Sequence, residues 1–158
     1  ESRFSSLNRD KKDRFIYCAL HYKFTMANEA VCIETPTHFV RYTVLDSVAI
    51  PKGTILKLSS DPNTAALSDS LDVNVFAGIA WEQKAASDGV TEIGTAINGT
   101  WDLTCAGAAV TLGAMVTISG ANFIKNSVEA DFPLGKVFGK ALETGSASEV
   151  IRVRVGCN

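Results

Sequence analysis

Apolar and polar residues alternate along this chain in short runs that are typical of β-strands. Most runs are rich in β-branched side chains and are interrupted by Gly, Asn, Asp or Pro. Such runs, repeated at this spacing, predict the strands of a sandwich or barrel. The predicted strands are Val44–Ile50, Thr54–Leu58, Val73–Trp81, Thr91–Ile97, Val110–Ile118 and Glu149–Val155.

The segments between these runs carry turn and loop residues. Ser87-Asp88-Gly89 and Asn98-Gly99 contain residues that tolerate positive φ, so both are predicted turns. Residues 59–72 are rich in Ser, Asp, Pro and Asn, which predicts a long surface loop. Helix signals are poor, and the best helical candidate spans Asp10 to Leu20.

An internal repeat is the most informative feature of the pattern. Residues 50–58 match residues 110–118 as apolar-x-x-Gly-small-apolar-apolar-x-apolar, at an offset of 60 residues. A second piece, residues 76–82, matches residues 137–143 at an offset of 61. Each half then ends in a charged strand that stops near a glycine, Gly99 or Gly156.

The repeated glycines predict the shape of each unit. Gly53 and Gly113 fit a tight turn that leads into a strand, whereas Gly78 and Gly139 lie inside strands and indicate a bulge or a close backbone approach. Two such units are able to bury their apolar faces against each other as one small barrel or sandwich. We therefore expect one all-β domain over roughly residues 40–156, with pseudo-symmetric halves.

Charge is distributed unevenly over the 158 residues. Residues 1–25 carry six basic and three acidic side chains, and residues 26–158 carry nine basic and fourteen acidic ones. The acidic body gives no reason to expect a nucleic-acid partner. No apolar run approaches the ~20 residues that span a bilayer, so no membrane partner is expected either.

The basic segment, residues 1–25, is predicted to be an N-terminal arm or extension, and residues 26–158 the β-rich domain. The arm is also rich in aromatic side chains, which tend to find a partner surface. Two alternatives stay open: the arm contacts a neighbouring protein, or its aromatic residues fold back onto their own domain. The partner-contact candidates in the arm are Phe15, Tyr17, Tyr22 and Phe24.

Residues for catalysis or metal binding are scarce. The two histidines are isolated, the four cysteines form no Cys-x-x-Cys pair, and no nucleophile elbow or phosphate loop is present. The nearby carboxylates Asp69 and Asp72, and likewise Glu129 and Asp131, fit solvated turns better than a metal or glycosidase site. We expect no catalytic residues, no metal, no cofactor and no enzymatic activity.

The two tryptophans are candidates for a ligand or partner surface. Trp81 lies in an apolar run and fits a core position better. Trp101, in Gly99-Thr100-Trp101-Asp102, is a candidate for a partner interface, with core packing as its equal alternative.

The order of the glycine-spaced pieces resembles one family. The pieces are Ile50–Leu58, Phe76–Ala80, the strand pair around Ile93–Leu103, Leu112-Gly113, Pro133–Leu142 and Glu149–Val155. Together they look like proteins of tailed phages and prophages that were first catalogued as a domain of unknown function and later seen as capsid decoration (cement) proteins. The resemblance covers about residues 26–158, and Met26–Ala30 looks like the usual beginning of such a protein.

The resemblance implies a small β-barrel or β-tulip-like sandwich that sits as a homotrimer on the outer surface of the capsid. Such a subunit is made in the host cytoplasm and stabilises the icosahedral shell by bridging subunits of the major capsid protein. The alternative function is a tail or fibre component that binds a host-surface glycan, which requires exposed aromatic residues in a groove. A small β-barrel hydrolase is a third class, and the lack of a nucleophile–base set argues against it.

Overall fold

The computed structural model describes residues 28–71 and 74–156, and their regular structure is almost entirely β. A 3-10 turn at Glu129–Asp131 is the exception. In chain order the strands are β1 (Val31–Glu34), β2 (Phe39–Thr43), β3 (Ile55–Ser60), β4 (Thr64–Leu67), β5 (Phe76–Ala80), β6 (Glu92–Ala96), β7 (Gly99–Cys105), β8 (Met115–Gly120), β9 (Phe123–Asn126), β10 (Val137–Ala141) and β11 (Val150–Val155). The all-β prediction is confirmed.

The strands form two small barrels, one from each half of the chain. The first barrel closes in the order β2-β4-β3-β5-β6. The second follows the order β7-β11-β10-β8-β9 and closes through a parallel pairing of β7 with β9. Strand β1 lies beside β7 and pairs with it antiparallel, so the start of the described chain belongs to the second barrel.

The internal repeat predicted from the sequence is confirmed by this topology. Each barrel contains one parallel pair, β2–β4 or β7–β9, and the remaining pairs are antiparallel in the same order. Gly53 and Gly113 have φ of 88° and 80° and precede β3 and β8, so they occupy equivalent positions. Isolated bridges join Ile50 to Lys84 and Val110 to Gly145 at matching places.

The expectation that the two halves together form one barrel or sandwich is wrong. Each half closes its own barrel, because its first strand pairs on both edges. Strand β2 pairs in parallel with β4 and antiparallel with β6, and β7 pairs in the same way with β9 and β11. The β structure also begins before residue 40, since β1 starts at Val31.

Several local predictions need correction. Residues 44–49 form an irregular loop rather than a strand, and only Ile50 makes a β-bridge. The predicted long loop at residues 59–72 contains β4. Asn98-Gly99 is not a hairpin turn, because β6 and β7 belong to different barrels and the dipeptide links them. The turn at Ser87-Asp88-Gly89 is confirmed, with positive φ at Ser87 and Gly89.

Two apolar clusters account for the cores. The interior of the first barrel is the smaller cluster, which comprises Val44, Ile50, Leu56, Ala65, Ala77, Ala80 and Ile93. The larger cluster fills the second barrel and continues into the junction between the barrels, where Ile55, Ile79 and Ala96 of the first barrel join it.

The junction is formed by a row of buried side chains on the first barrel, and the equivalent row of the second barrel is more exposed. Ile55, Ile79 and Ala96 lie side by side across β3, β5 and β6, and each is 0% exposed. The equivalent row of the second barrel is Met115, Lys140 and Arg154, which is half-buried to exposed. The barrels are therefore stacked in tandem, and the row that is apolar at the junction carries two charged side chains, Lys140 and Arg154, on the second barrel.

Polar and aromatic contacts complete the junction. Phe76 and Phe138 stack with ring centroids 4.4 Å apart. The Ile55 N–H donates to Asn122 Oδ1 across the junction at 2.9 Å, a buried hydrogen bond between the two barrels. These contacts fix the barrels relative to each other, because both partners of each contact are held by regular strands or tight turns.

Candidate functional site

Four of the five predicted partner-contact residues, Phe15, Tyr17, Tyr22 and Phe24, lie outside the described residues. The predicted helix at Asp10 to Leu20 lies outside them as well. The N-terminal arm and its partner contact therefore stay predictions.

Trp101, the fifth candidate, is a core residue. Its side chain is 1% exposed, and its indole Nε1–H donates to the Asn98 carbonyl at 3.1 Å. The residue lies on the inward-facing side of β7 with Leu103 and Cys105, so the pleat of the strand directs the ring into the second barrel. Its interface assignment is wrong, and the core alternative is what the structure shows.

Reactive and ligating side chains are dispersed over the described part of the chain. Among these residues, no group of three or more His, Cys, Asp or Glu is placed to hold a metal ion. Asp131 is buried, accepts a hydrogen bond from the Val128 N–H at 2.9 Å and lies 3.9 Å from Lys136 Nζ. Its contacts are those of a residue that shapes a loop.

No helix in the described ranges is long and apolar enough to cross a bilayer.

The cysteines that the structure describes, Cys32 and Cys105, are both free thiols. Burial raises the pKa of each thiol above its usual value, and Lys52 partly opposes this at Cys32. Both side chains therefore stay protonated at neutral pH and behave as small apolar groups.

An ammonium group holds one end of the first barrel together. Lys84 is buried, and its Nζ donates to the backbone carbonyls of Asp46, Val48 and Ala85 at 2.8–3.0 Å. Asp88 Oδ1 lies 3.5 Å from the same nitrogen. This arrangement folds residues 44–49 back over the barrel end, which explains why an apolar stretch that resembles a strand is a loop.

One surface loop exposes an unusual amount of apolar surface. Residues 128–136, here called the apolar loop, connect β9 to β10 and present three large side chains to solvent. Val128, Phe132 and Leu134 are 60%, 54% and 57% exposed. The loop is nevertheless ordered by the 3-10 turn and by the buried carboxylate of Asp131. An ordered apolar protrusion of this kind is typical of a contact surface for another macromolecule.

Sequence reasoning did not identify the apolar loop. Its residues occur between polar ones, so no periodic pattern distinguishes them from core residues. The only available signal was that Val128, Phe132 and Leu134 lie beside loop formers such as Asn126, Pro133 and Gly135.

A cleft of about 490 Å³ opens at the junction between the barrels. Its walls include Tyr42 and Phe76 from the first barrel and Phe138 from the second. Asn98 stiffens the rim, because its Oδ1 accepts hydrogen bonds from the N–H groups of Thr37 and His38, each at 3.0 Å. The cleft marks the place where the tandem stack leaves space between the two closed barrels.

A second hollow, of about 370 Å³, lies on the side of the first barrel. It is lined by Phe39, Arg41, Trp81 and Glu82 around Gly94. Arg41 Nη2 lies 3.6 Å from Glu82 Oε1, and Glu82 Oε2 accepts a hydrogen bond from the Gly94 N–H at 3.1 Å. Lys52 Nζ lies 4.3 Å from the centroid of the Trp81 ring.

Comparison with solved structures shows a likeness in fold. No protein-family model matches the chain, and no curated protein sequence matches it. Among solved structures, the chain is similar to the N base of the head fiber protein gp8.5 of bacteriophage phi29. The TM-score is 0.50 at 15% sequence identity, and the match covers 75% of this chain and 94% of that chain.

Proposed function

We propose that this chain is a structural protein of a phage virion that attaches to the head. The observation that carries the proposal is the fold likeness to a head fiber base, because nearly the whole of that module is matched. Fold alone does not determine function. The proposal also draws on the order of glycine-spaced motifs, which resembles the capsid decoration family.

More specifically, we propose that the chain is a decoration subunit that bridges neighbouring subunits of the major capsid protein. It would do so as a homotrimer and without enzymatic activity. A trimer that touches several capsid subunits gains avidity without large individual contacts. Binding that prefers the mature lattice stabilises the shell by mass action.

The apolar loop is the proposed contact with the capsid. Its three exposed apolar side chains lie on an ordered loop, so docking would bury them at a small cost in conformational entropy. Large side chains that become buried at the centre of an interface carry most of its binding energy, whereas the polar rim contributes little.

A base for a head fibre is the second candidate, and the same fold likeness favours it. Both candidates place the chain on the head, and they differ in whether a further fibre extends from it. The alternative of a tail component would instead place the protein away from the shell.

Binding to purified, expanded capsids of the cognate virus tests the proposal. We expect the full chain to co-sediment with shells, and the double variant Phe132→Ser/Leu134→Ser to bind at least about tenfold more weakly. Leu112→Ser is the matched control, since Leu112 is 62% exposed outside the apolar loop. Absence of the wild-type protein from the shells would overturn the head assignment. Equal binding by the loop variant and the control would overturn the apolar loop as the contact while leaving the head assignment in place.

A further inference from the structure

The hollow around Gly94 has an internal comparison, because the second barrel contains the equivalent positions. Hydrogen bonds from Trp81 N to Gly94 O and from Leu142 N to Arg152 O identify Trp81 with Leu142 and Gly94 with Arg152. Glu82 and Glu143 are equivalent as well, since each carboxylate accepts a hydrogen bond from the backbone N–H of Gly94 or Arg152.

The strand registers extend the comparison to β2 and β7. Arg41 lies opposite Gly94 as Asp102 lies opposite Arg152. Phe39 is equivalent to Thr100, because their partners Ala96 and Arg154 occupy the same place in the row described above. The strand register and the local hydrogen bonds are thus the same in both barrels, whereas the side chains differ.

These side-chain differences open the hollow in the first barrel. In the second barrel, Arg152 extends over the surface and its Nε donates to Asp102 Oδ1 at 3.3 Å. In the first barrel, a glycine replaces that arginine, and Phe39 and Trp81 replace Thr100 and Leu142. A hollow results, and Phe39 and Trp81 together form one aromatic wall of it, since their rings are in edge contact with centroids 5.4 Å apart and planes at 61°.

The lining of the hollow restricts the chemistry of a ligand. Phe39 is 48% exposed, which is a large apolar surface to leave in water. Beside it, Arg41 and Glu82 offer planar donors and acceptors, and both side chains are largely solvent-accessible. The charges of Arg41 and Glu82 compensate each other, and Lys52 Nζ covers one face of the Trp81 ring, so Phe39 supplies the exposed ring surface. A saccharide ring matches this set, since its C–H face packs on an aromatic ring while its hydroxyl groups bond to the Arg–Glu pair.

We infer that the hollow formed by Phe39, Arg41, Trp81, Glu82 and Gly94 is a binding site for a saccharide unit. Its volume falls in the range of small-molecule sites, roughly 300–1,000 Å³. The inference does not depend on the proposed role on the phage head, because it rests on the internal comparison of the two barrels. On a virion, the site would give weak attachment to surface glycans, multiplied by the number of copies.

Titration of the ¹⁵N-labelled full chain with maltose, lactose and N,N′-diacetylchitobiose, each up to millimolar concentration, tests the inference by NMR. We expect at least one of the three to shift the Gly94 amide and the Trp81 indole signals. The Gly113 amide is a control in the same spectrum, because it precedes β8 in the second barrel and does not line the hollow. A site in the hollow leaves the Gly113 signal unchanged.

Two variants that copy the second barrel make the test specific. Gly94→Arg fills the hollow, and Phe39→Thr removes the exposed ring, so each should weaken binding at least about tenfold. Leu112→Thr removes an apolar side chain elsewhere and should bind like the wild type. If Gly94→Arg does not fold, the binding measured with Phe39→Thr tests the site by itself.

Three results would overturn the inference. The first is that none of the three saccharides shifts Trp81 or Gly94. The second is that the Gly113 amide shifts as much as the Gly94 amide. The third is that the folded hollow variants bind as well as Leu112→Thr.

Discussion

Lys84 shows how a single residue determines local structure at one end of the first barrel. Its buried ammonium group satisfies carbonyl oxygens of a loop that regular β pairing does not reach. The equivalent position of the second barrel is Gly145, where a side chain would meet Ile151 Cγ2 at 2.3 Å. The two barrels thus differ at this end. The ammonium group of Lys84 fills it in the first barrel, and in the second barrel the backbone at Gly145 packs directly against Ile151.

We predict that Lys84→Met lowers the free energy of unfolding by about 3 kcal/mol, because methionine fills the space but leaves three backbone carbonyl groups and Asp88 without their cation. Urea denaturation at neutral pH measures the loss. Lys140→Met is the control, since Lys140 is exposed on the open row of the second barrel. Equal losses in the two variants would show that the Lys84 contacts contribute little.

Asp88 gives a prediction for the dependence of stability on pH. Hydrogen bonds from the N–H groups of Val90 and Ala85 lower the pKa of Asp88, with a further contribution from Lys84. A carboxyl group whose pKa is lower in the folded state stabilises the fold above its unfolded value, about 3.9, and this stabilisation is lost as pH falls through the folded value. Hydrogen bonding and ion pairing with Lys57 lower the pKa of Asp69 in the same direction.

We therefore expect Asp88→Asn to reduce stability at neutral pH and to reduce the loss of stability between about pH 5 and pH 2. Urea midpoints at several pH values measure both effects. Asp61→Asn is the comparison, because the carboxylate of Asp61 has no hydrogen bond among the described residues. An unchanged pH profile in Asp88→Asn would contradict the assignment.

At the residue level, the sequence predicted positions with a backbone requirement better than positions that depend on tertiary contacts. The equivalence of Gly53 and Gly113 followed from spacing alone, because both positions have positive φ, a conformation that favours glycine in each unit. The environments of Trp101 and Lys84 depend on which strand face is inward and on distant carbonyl groups. Neither piece of information is local in sequence.

The glycine bulges are the main feature of the individual strands. Gly78 and Gly139 lie at register shifts in β5 and β10, as the repeat predicted. A Cβ at Gly139 would lie 2.7 Å from the Arg154 carbonyl oxygen, a backbone atom that cannot move without shifting β11.

We predict that Gly139→Ala lowers stability by roughly 1–3 kcal/mol, because the methyl group forces β10 and β11 apart. Gly107→Ala is a matched control: a Cβ there meets nothing within 4 Å, so the change should stay within about 0.5 kcal/mol. Thermal and urea unfolding of the two variants measure the difference. A Gly139→Ala protein as stable as Gly107→Ala would mean that the bulge accommodates a side chain.

Prediction of the strands from sequence succeeded where apolar runs coincide with buried strands, as in β3, β5, β6 and β11. It missed β4 and β9, which are four residues long and adjoin turn formers. It also placed a strand at residues 44–50 rather than at β2, because the apolar content of the loop exceeds that of the strand. Short strands whose partners are distant carry too little local signal to be recognised.

For the whole molecule, the sequence revealed the repeat but not that each unit closes separately. Closure depends on two parallel contacts, β2 with β4 and β7 with β9, and each involves only one or two residue pairs. Tandem stacking depends on Ile55, Ile79 and Ala96, which are buried at the junction, whereas the equivalent Met115, Lys140 and Arg154 are not. The strand registers are needed to recognise these two rows as equivalent.

Residues 1–25 provide a further prediction at this scale. We expect them to contact a neighbouring protein, since they are basic and aromatic whereas the rest of the chain is acidic. Deletion of residues 1–25 should then leave the melting temperature of the isolated protein unchanged and reduce binding to capsids. A lower melting temperature would show that the aromatic residues belong to the core, and unchanged capsid binding would exclude a contact between the arm and the capsid.

The location of the protein on virions tests the central claim most directly. A cryo-EM reconstruction of the virion should show two stacked barrels per copy, arranged as trimers on the outer surface of the head, with the apolar loop against the major capsid protein. Copies found only at the tail, or virions that lack the protein, would contradict the account.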